Sequence, residues 1–391
     1  MTASPAYRIA SIDILRGLVM IIMALDHTRD FFHITAMTAD PLNPATTTVA
    51  LFFTRWITHF CAPVFVFLSG LSAYLSSQKK PRKEASVFLA KRGLWLVLAE
   101  VTIVTFGLTF NPFFNFILLQ VIWAIGCSMI LLSLLMRISY RTVLIAGILL
   151  FFGHNAIDYA QLPTAGIGGV LWTTLLTARG AIVPLGGGHF LMILYAILPW
   201  TGVMLMGYSI GPWFAKEFPA EKRKRLLLMS GGLLILLFIA LRLARGYGDP
   251  GAWVPGEYSF FSFLNTSKYP PSLQFCCMTL GPAMIILALM ENIRSGWTRF
   301  VSVYGRVPFF YFVLHFYILH VLLAIVFFAS GHTAAQIIDP NVPFAFRPVA
   351  FGYSLPVIYI IWITLVAFLY YPCKWFNHYK INRPYWWLKY I

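Results

Sequence analysis

The sequence predicts an all-α, polytopic membrane protein, and two observations lead to this fold class. Of its 391 residues 59% are hydrophobic and only 11% are charged, and the mean hydropathy is +0.77. A soluble domain cannot bury so much apolar surface. The apolar residues also form runs of about 20, the length of a helix that crosses a bilayer. Because no long polar or Pro/Gly/Ser-rich linker interrupts them, we predict one integral-membrane domain over residues 1–391.

About ten membrane spans can be placed along the chain by length and hydropathy. Basic residues cluster in alternate connections, with Arg8 before the first span, residues 79–83 after the second and residues 222–225 before the seventh. By the positive-inside rule these connections face the cytoplasm, so both termini are predicted to be cytoplasmic. The predicted spans are residues 10–34, 47–78, 85–109, 113–136, 139–156, 188–214, 224–245, 272–293, 306–330 and 351–373.

The first span carries ionisable residues through an otherwise apolar run. On a helix with about 100° per residue, Asp13, Arg16, Met20, Met23 and His27 share one stripe. A charged side chain at the bilayer centre costs about 2.5 to 3.5 kcal/mol, so these residues must face protein or water. Arg16 and His27 lie ~16 Å apart along the helix axis. This span is therefore polar at both ends of one face, which marks it as a candidate site.

A second polar stripe, formed by Asp26, Asp30 and His33, lies beside the first at the predicted outer end of the same span. In the second span Arg55 and His59 form an i, i+4 pair, and an antiparallel course would bring them level with this stripe. An Asp beside a His can fix the imidazole tautomer and raise its basicity, and His is the usual general base. We expect one histidine to be the base and one aspartate to orient it. The candidate catalytic residues are His27, His33, Asp26 and Asp30.

Two further groups are candidates for binding substrates. Arg55 and His59 at the outer end are joined by Lys268 and Tyr269, which precede a Pro-Pro helix start, and Arg55 could bind a carboxylate or balance the aspartates. At the inner end Arg306 lies where cations would meet a phosphate-bearing ligand. The ninth span also holds two histidines, interpreted as core or interfacial residues. They are His315 and His320.

Several other functions find no support in the sequence. It contains no H-E-x-x-H, Walker or G-x-S-x-G pattern. The net charge of +16 would suggest nucleic acid in a soluble protein, but here the basic residues lie in short loops, as orientation signals do. His27, His33 and His59 with an aspartate could bind a metal, although no metal is expected.

The run SIDILRGLVMIIMALDH, followed by RWITHFCAPVFVFLSG and ILPWTGVMLMGYSIG, resembles bacterial relatives of heparan-α-glucosaminide N-acetyltransferase, in a wider transmembrane acyltransferase superfamily. The resemblance implies a helical bundle in the bacterial inner membrane that moves an acetyl group from cytosolic acetyl-CoA to an outer acceptor through an essential histidine. Asp13 and Arg16 match the family's inner-end motif, which would place the donor there together with Arg306. His27 matches the histidine ending this helix in the superfamily, and His33 is the nearest counterpart of the later histidine of the lysosomal enzyme.

These observations lead to three hypotheses. The first is an acetyl-CoA-dependent N- or O-acetyltransferase acting on an extracytoplasmic amino sugar or glycan, by direct transfer or through an acetyl-histidine. The second is a proton-coupled transporter or flippase for a sugar- or lipid-linked substrate, in which the same residues relay protons. The third is a lipid-binding scaffold, which leaves the charged first span unexplained. The expected partners are membrane lipid and the acceptor, a homodimer is compatible with the sequence, and nucleic acid is not expected.

Overall fold

The computed structural model describes residues 9–163, 165–178, 181–339 and 342–391. These residues form a mostly helical bundle; Arg8 lies outside them. The helices are α1 (Ala10–Phe32), α2 (Val49–Thr58), α3 (Cys61–Ser77), α4 (Arg82–Ala99), α5 (Thr105–Thr109), α6 (Val121–Ile138), α7 (Tyr140–Gly153), α8 (Gly166–Trp172), α9 (Ile197–Ser209), α10 (Ala220–Ala244), α11 (Ser259–Leu264), α12 (Leu273–Leu289), α13 (Gly296–Arg306), α14 (Pro308–Ala329) and α15 (Leu355–Asn382).

Seven helical segments of the described chain are long and apolar enough to cross a membrane. A multi-pass membrane protein is therefore confirmed, whereas the count of ten spans and the cytoplasmic termini stay predictions. The central helix α1 falls outside the seven because charged residues lie at both of its ends. The seven segments are Val49–Ser77, Val121–Ile138, Tyr140–Tyr159, Ala220–Ala244, Leu273–Asn292, Pro308–Ala329 and Leu355–Asn382.

Helix α1 lies at the centre of the bundle. It packs against α2, α3, α12, α13, α14 and α15, and most of its side chains are buried, including Asp13, Asp26 and Arg29. Burial on nearly all sides explains how a charged helix is tolerated, because its polar groups meet protein rather than lipid. The polar stripes predicted from the sequence therefore face neighbouring helices.

Glycines set how closely the neighbours approach α1. A Cβ atom on Gly17 would lie 2.1 Å from the carbonyl oxygen of Val301, and one on Gly305 would lie 1.9 Å from the carbonyl oxygen of Asp13. Helices α1 and α13 thus touch backbone to backbone, as small residues permit in membrane bundles. Gly70 of α3 is equally close to α9, since a Cβ atom on Gly70 would lie 1.9 Å from the carbonyl oxygen of Met204. Gly70 thus permits close packing of α3 against α9.

The predicted second span is divided in two. Helix α2 ends at Thr58 and α3 begins at Cys61, with a turn at residues 59–60. The physical cause is Pro63, which has no N–H to donate to the carbonyl four residues earlier and whose ring collides with it. His59 consequently lies at a helix break instead of within a continuous helix.

A three-stranded sheet interrupts the otherwise helical architecture. Its strands are β1 (Phe116–Leu119), β2 (Ala181–Gly186) and β3 (His189–Ile193), in the order β1-β3-β2. Strand β1 pairs parallel with β3, with Phe116 opposite Phe190, and β2 pairs antiparallel with β3. The edge position of β2 suits Pro184, which cannot donate to a central ladder. Predicted spans 113–136 and 188–214 therefore each contain a strand near their start, and the α-helices within them are α6 and α9.

Candidate active site

The two polar ends of α1 anchor two separate groups of side chains. We call the end with Asp13, Arg16 and Arg306 the basic end, and the end with His27 and His33 the histidine end. Since α2 and α3 run antiparallel to α1, Arg55 lies at the histidine end and Ser72 at the basic end, as the contacts below show. The antiparallel course predicted for the second span is thus confirmed.

Arg16 joins three helices at the basic end. Its Nη1 donates to the carbonyl oxygen of Gly305 at 3.1 Å and its Nη2 donates to Ser72 Oγ at 2.7 Å. Asp13 lies between two guanidiniums, with Oδ1 3.6 Å from Arg16 Nη1 and Oδ2 3.7 Å from Arg306 Nε. The structure therefore brings together all three residues predicted to hold the donor.

A cavity of about 530 Å³ lies directly against this group. Asp13, Arg16 and Ser72 form part of its wall, together with Lys79, Lys216 and Glu217. Its volume is within the range of small-molecule sites in proteins, and its wall carries three cationic and two acidic side chains. Such a wall suits a phosphate-bearing ligand.

Arg92 of α4 adds a cation to the basic end. It interacts electrostatically with Arg16, and its Nε is buried without a hydrogen-bond partner among the described residues. Two neighbouring guanidiniums repel each other unless an anion compensates them. The basic end therefore has more positive charge than its carboxylates balance.

Aspartates and arginines form a buried network at the histidine end. Asp26 accepts from Arg29 Nη2 at 3.0 Å through Oδ1 and lies 2.5 Å from Arg55 Nη1 through Oδ2. Arg29 Nη2 also donates to Asp30 Oδ1 at 2.6 Å. Both oxygens of Asp26 are thus occupied by arginines. The aspartates balance the cations here, one of the two roles foreseen for Arg55.

His27 makes its hydrogen bond to a histidine instead of an aspartate. Its Nδ1 lies 2.6 Å from His315 Nε2 on α14, and its ring stacks on Phe316 with the centroids 4.4 Å apart. No hydrogen bond joins Asp26 or Asp30 to His27 in the part of the chain that the structure describes. The expectation that an aspartate orients this imidazole is therefore not met, because His27 Nδ1 faces His315 and both oxygens of Asp26 face arginines.

His33 lies just beyond the end of α1 and belongs to a loop contact. Its Nδ1 lies 3.0 Å from Thr35 Oγ1, and its carbonyl oxygen accepts from Arg347 Nη2 at 2.8 Å. Burial, with the positive charges of Arg29 and Arg347, lowers the pKa of His33. Burial also lowers the pKa of Arg347, to about 10. His33 is thus tied to the segment around Arg347, whereas His27 faces the bundle interior.

The remaining candidates lie around Arg55. Lys268 interacts electrostatically with Asp26, and Tyr269 interacts with both Asp26 and Arg55. Lys268 Nζ lies 5.2 Å from the centre of the Tyr269 ring. Burial acts against ionisation of Tyr269, but Lys268 and Arg55 outweigh it and lower its pKa. His59 is 1% exposed and its ring meets Phe275 edge-on at 5.4 Å. All four residues predicted to bind the acceptor therefore interact electrostatically with Asp26, and Arg55 also contacts it directly.

Three further polar residues lie outside both groups. His189 lies on the wall of a separate cavity of about 830 Å³, together with Asn111 and Asp339. His154 Nε2 lies 2.8 Å from the carbonyl oxygen of Pro271, and Asn155 accepts from the N–H of Leu273, so both hold the start of α12. In the described residues no group of three His, Cys, Asp or Glu side chains could hold a metal ion.

His315 is the site residue that sequence reasoning set aside as core. It is fully buried, and nothing in the spacing of α14 indicates that it meets α1. The only available signal was the general cost of placing a polar side chain in an apolar span, which favours a functional role for any such residue.

Comparison with known proteins identifies the family of this chain. No curated protein matches the chain. The sequence model of the family described as "Heparan-alpha-glucosaminide N-acetyltransferase, catalytic" matches residues 8–240, which is more than half of the chain and includes both polar ends of α1. The chain therefore belongs to this family, and it is an acetyltransferase-type membrane enzyme.

Proposed function

We propose that this protein transfers an acetyl group across the membrane, from acetyl-CoA at the basic end to an amino sugar or other glycan acceptor at the histidine end. One observation carries the proposal. Helix α1, which lies in the family-matched region, has a cavity with cationic side chains on its wall at the basic end. At the histidine end of the same helix, Nε2 of His27 makes no hydrogen bond to a described residue. Acetyl-CoA is the anionic donor, so it is a substrate of the reaction.

The basic end supports binding of the donor. Arg16, Lys79 and Lys216 line the cavity. Arg306 forms an ion pair with Asp13 of the cavity wall, and Arg92 interacts electrostatically with Arg16. Phosphate groups are held well by guanidinium and ammonium groups. In this proposal the basic end faces the cytosol, in agreement with the positive-inside distribution of charge, and the bilayer is a bacterial inner membrane.

The acetyl arm then extends along α1 towards the histidine end. Met20 and Met23 lie on the stripe between Arg16 and His27, and both are buried. Methionine is unbranched and flexible, so it fills space and can also give way. We expect these two side chains to move aside when the arm enters.

His27 is the general base of this proposal. Its Nε2 has no hydrogen-bond partner among the described residues, so it can take a proton from the acceptor amine or hydroxyl as that group attacks the thioester carbonyl. A bond forms between the acceptor atom and the acetyl carbon, the carbon–sulfur bond breaks, and the proton passes from His27 to the departing thiolate. Arg55, His59, Lys268 and Tyr269 would bind the acceptor.

Acetyl transfer by the purified protein tests the function. In proteoliposomes with acetyl-labelled acetyl-CoA and glucosamine, we expect acetylated sugar and free coenzyme A thiol in equal amounts. His27→Ala should lower the rate by about 10²- to 10⁴-fold, and His378→Ala, an exposed histidine on α15, should leave it unchanged. Loss in His33→Ala with activity retained in His27→Ala would move the base to His33.

Two further results would change the proposal. Uptake of sugar driven by a pH gradient, without release of thiol, would establish the transporter, which family membership does not favour. Labelled acetyl retained on the protein without acceptor would show an acetyl-enzyme in place of direct transfer.

A further inference from the structure

The histidine on α14 lies outside the stretch matched by the family, yet it contacts the proposed base directly. His315 Nε2 is 2.6 Å from His27 Nδ1, and His315 Nδ1 is 3.2 Å from the carbonyl oxygen of Tyr311 one turn earlier. Both ring nitrogens of His315 are therefore engaged. This arrangement fixes the positions of the protons.

The carbonyl oxygen of Tyr311 can only accept a hydrogen bond, so His315 Nδ1 carries a hydrogen and donates it. In a neutral imidazole the other nitrogen then accepts, which makes His315 Nε2 the acceptor. His27 Nδ1 must consequently be the donor across the 2.6 Å contact. The proton of His27 is thus on Nδ1, and the lone pair is on Nε2.

The surroundings favour the neutral form of His315. The residue is fully buried, its ring lies 4.3 Å from the Phe316 ring and 5.6 Å from the Phe312 ring, and no carboxylate contacts it among the described residues. A buried cation without a counter-ion is costly. Phe316 also stacks on His27, which keeps that ring in the orientation the hydrogen bond requires.

We propose that His315 is a positioning residue that holds His27 in the Nδ1–H tautomer, so that Nε2 of His27 is free to act as the base. This rests on the proposed function for its catalytic meaning, whereas the tautomer itself does not. When Nε2 takes the proton from the acceptor, His27 becomes an imidazolium and its Nδ1–H···Nε2 bond to His315 becomes charge-assisted and stronger. A neutral histidine thus orients the base here, as an aspartate orients the histidine of a Ser-His-Asp triad.

The tautomer can be measured without any activity. In ¹⁵N-histidine-labelled protein in lipid bilayers, solid-state NMR distinguishes a protonated from an unprotonated ring nitrogen, and the His27 signals are assigned by their absence from His27→Gln. We expect His27 with Nδ1 protonated and Nε2 unprotonated at neutral pH. The opposite tautomer in the wild-type protein would overturn the proposal.

Variants of His315 test the consequence for catalysis. His315→Phe removes the acceptor and should lower kcat about 10- to 100-fold, the usual effect of losing such an orienting partner, with KM for acetyl-CoA unchanged. His315→Gln places an amide oxygen near the position of Nε2 and should restore most of the rate. His320→Gln is the matched control, because it is a buried histidine of the same helix that lies 2.9 Å from the Ala345 carbonyl oxygen and not against His27.

The outcomes separate the two proposals. A wild-type protein that transfers no acetyl group refutes the proposed function, while its His27 signals still decide the tautomer. A wild-type protein that transfers acetyl, with His315→Phe equally active and its His27 tautomer unchanged, refutes the positioning role. If His315→Phe does not fold, the positioning role is tested by the wild-type spectrum and by comparing the acetyl-transfer rates of His315→Gln and His320→Gln.

Discussion

Replacing Asp26 with Asn should destabilise the fold strongly, because this carboxylate neutralises a buried guanidinium from another helix. Asp26 Oδ2 lies 2.5 Å from Arg55 Nη1, and the two side chains are 11% and 14% exposed. Arg29 would keep Asp30 at 2.6 Å, but Arg55 has no second carboxylate within ion-pair distance among the described residues. The substitution therefore leaves Arg55 as a buried cation without its counter-ion.

The expected magnitude follows from this burial. Removing one partner of a buried ion pair costs about 3 to 5 kcal/mol, because the remaining charge stays out of water. The second substitution Arg55→Gln, made in Asp26→Asn, takes that charge away. We therefore expect the double variant to be more stable than Asp26→Asn alone, with a coupling energy of about 1 to 3 kcal/mol.

Equilibrium unfolding in mixed micelles with increasing sodium dodecyl sulfate gives the free energies of the four proteins in this cycle. Asp40→Asn is the control, since Asp40 is an exposed loop carboxylate that accepts from the N–H of Leu42 at 2.9 Å, and it should change the free energy of unfolding by less than about 0.5 kcal/mol. A loss below about 1 kcal/mol in Asp26→Asn, or additive losses in the double variant, would refute the argument from burial.

Three other predictions concern the basic end, the helix packing and pH. Arg16→Met should raise KM for acetyl-CoA by about tenfold or more, because a charge-assisted contact is lost. The control Arg383→Met, at an exposed residue after the end of α15, should leave KM unchanged. An unchanged KM in Arg16→Met would place the donor elsewhere. Gly305→Leu puts a side chain 1.9 Å from the backbone of α1 and should cost at least about 1 to 3 kcal/mol, whereas Gly232→Leu, with nothing within 4 Å, should cost little; equal unfolding free energies would contradict the close contact. Burial lowers the pKa of His33 below its ordinary 6.5, so the unfolded chain binds the proton more readily than the folded protein does, and the stability that is present above about pH 6.5 falls as the pH drops towards the folded-state pKa. In His33→Gln the free energy of unfolding should therefore fall less steeply on the acid side. An identical slope would show that protonation of His33 does not contribute to it.

The local pattern of α1 could be predicted because a helix has a fixed geometry. The spacing of Asp13, Arg16 and His27 already implies one polar stripe with its two ends ~16 Å apart, and the i, i+4 spacing of Arg55 and His59 implies one face. The antiparallel order of the first two spans then brings Arg55 level with Asp26, as the 2.5 Å contact confirms. These inferences need only the sequence, since they involve neighbouring residues or neighbouring helices.

Other features could not be read from the sequence. The strands β1 and β3 are apolar runs that cannot be distinguished from the ends of membrane helices by hydropathy, because both bury the same residue types. The break at His59, by contrast, is a local consequence of Pro63. Which carboxylate meets which cation was also open, because Asp26 had two arginines and a histidine within reach.

The sequence alone determined that this is a multi-pass membrane protein whose first helix is polar at both ends, because composition and helical periodicity are local properties of the chain. Only the tertiary structure decided that two arginines form ion pairs with Asp26 and that His27 forms a hydrogen bond with His315, 288 positions later. Such a pairing depends on how distant helices pack and turn about their axes, and no spacing within either helix specifies that rotation.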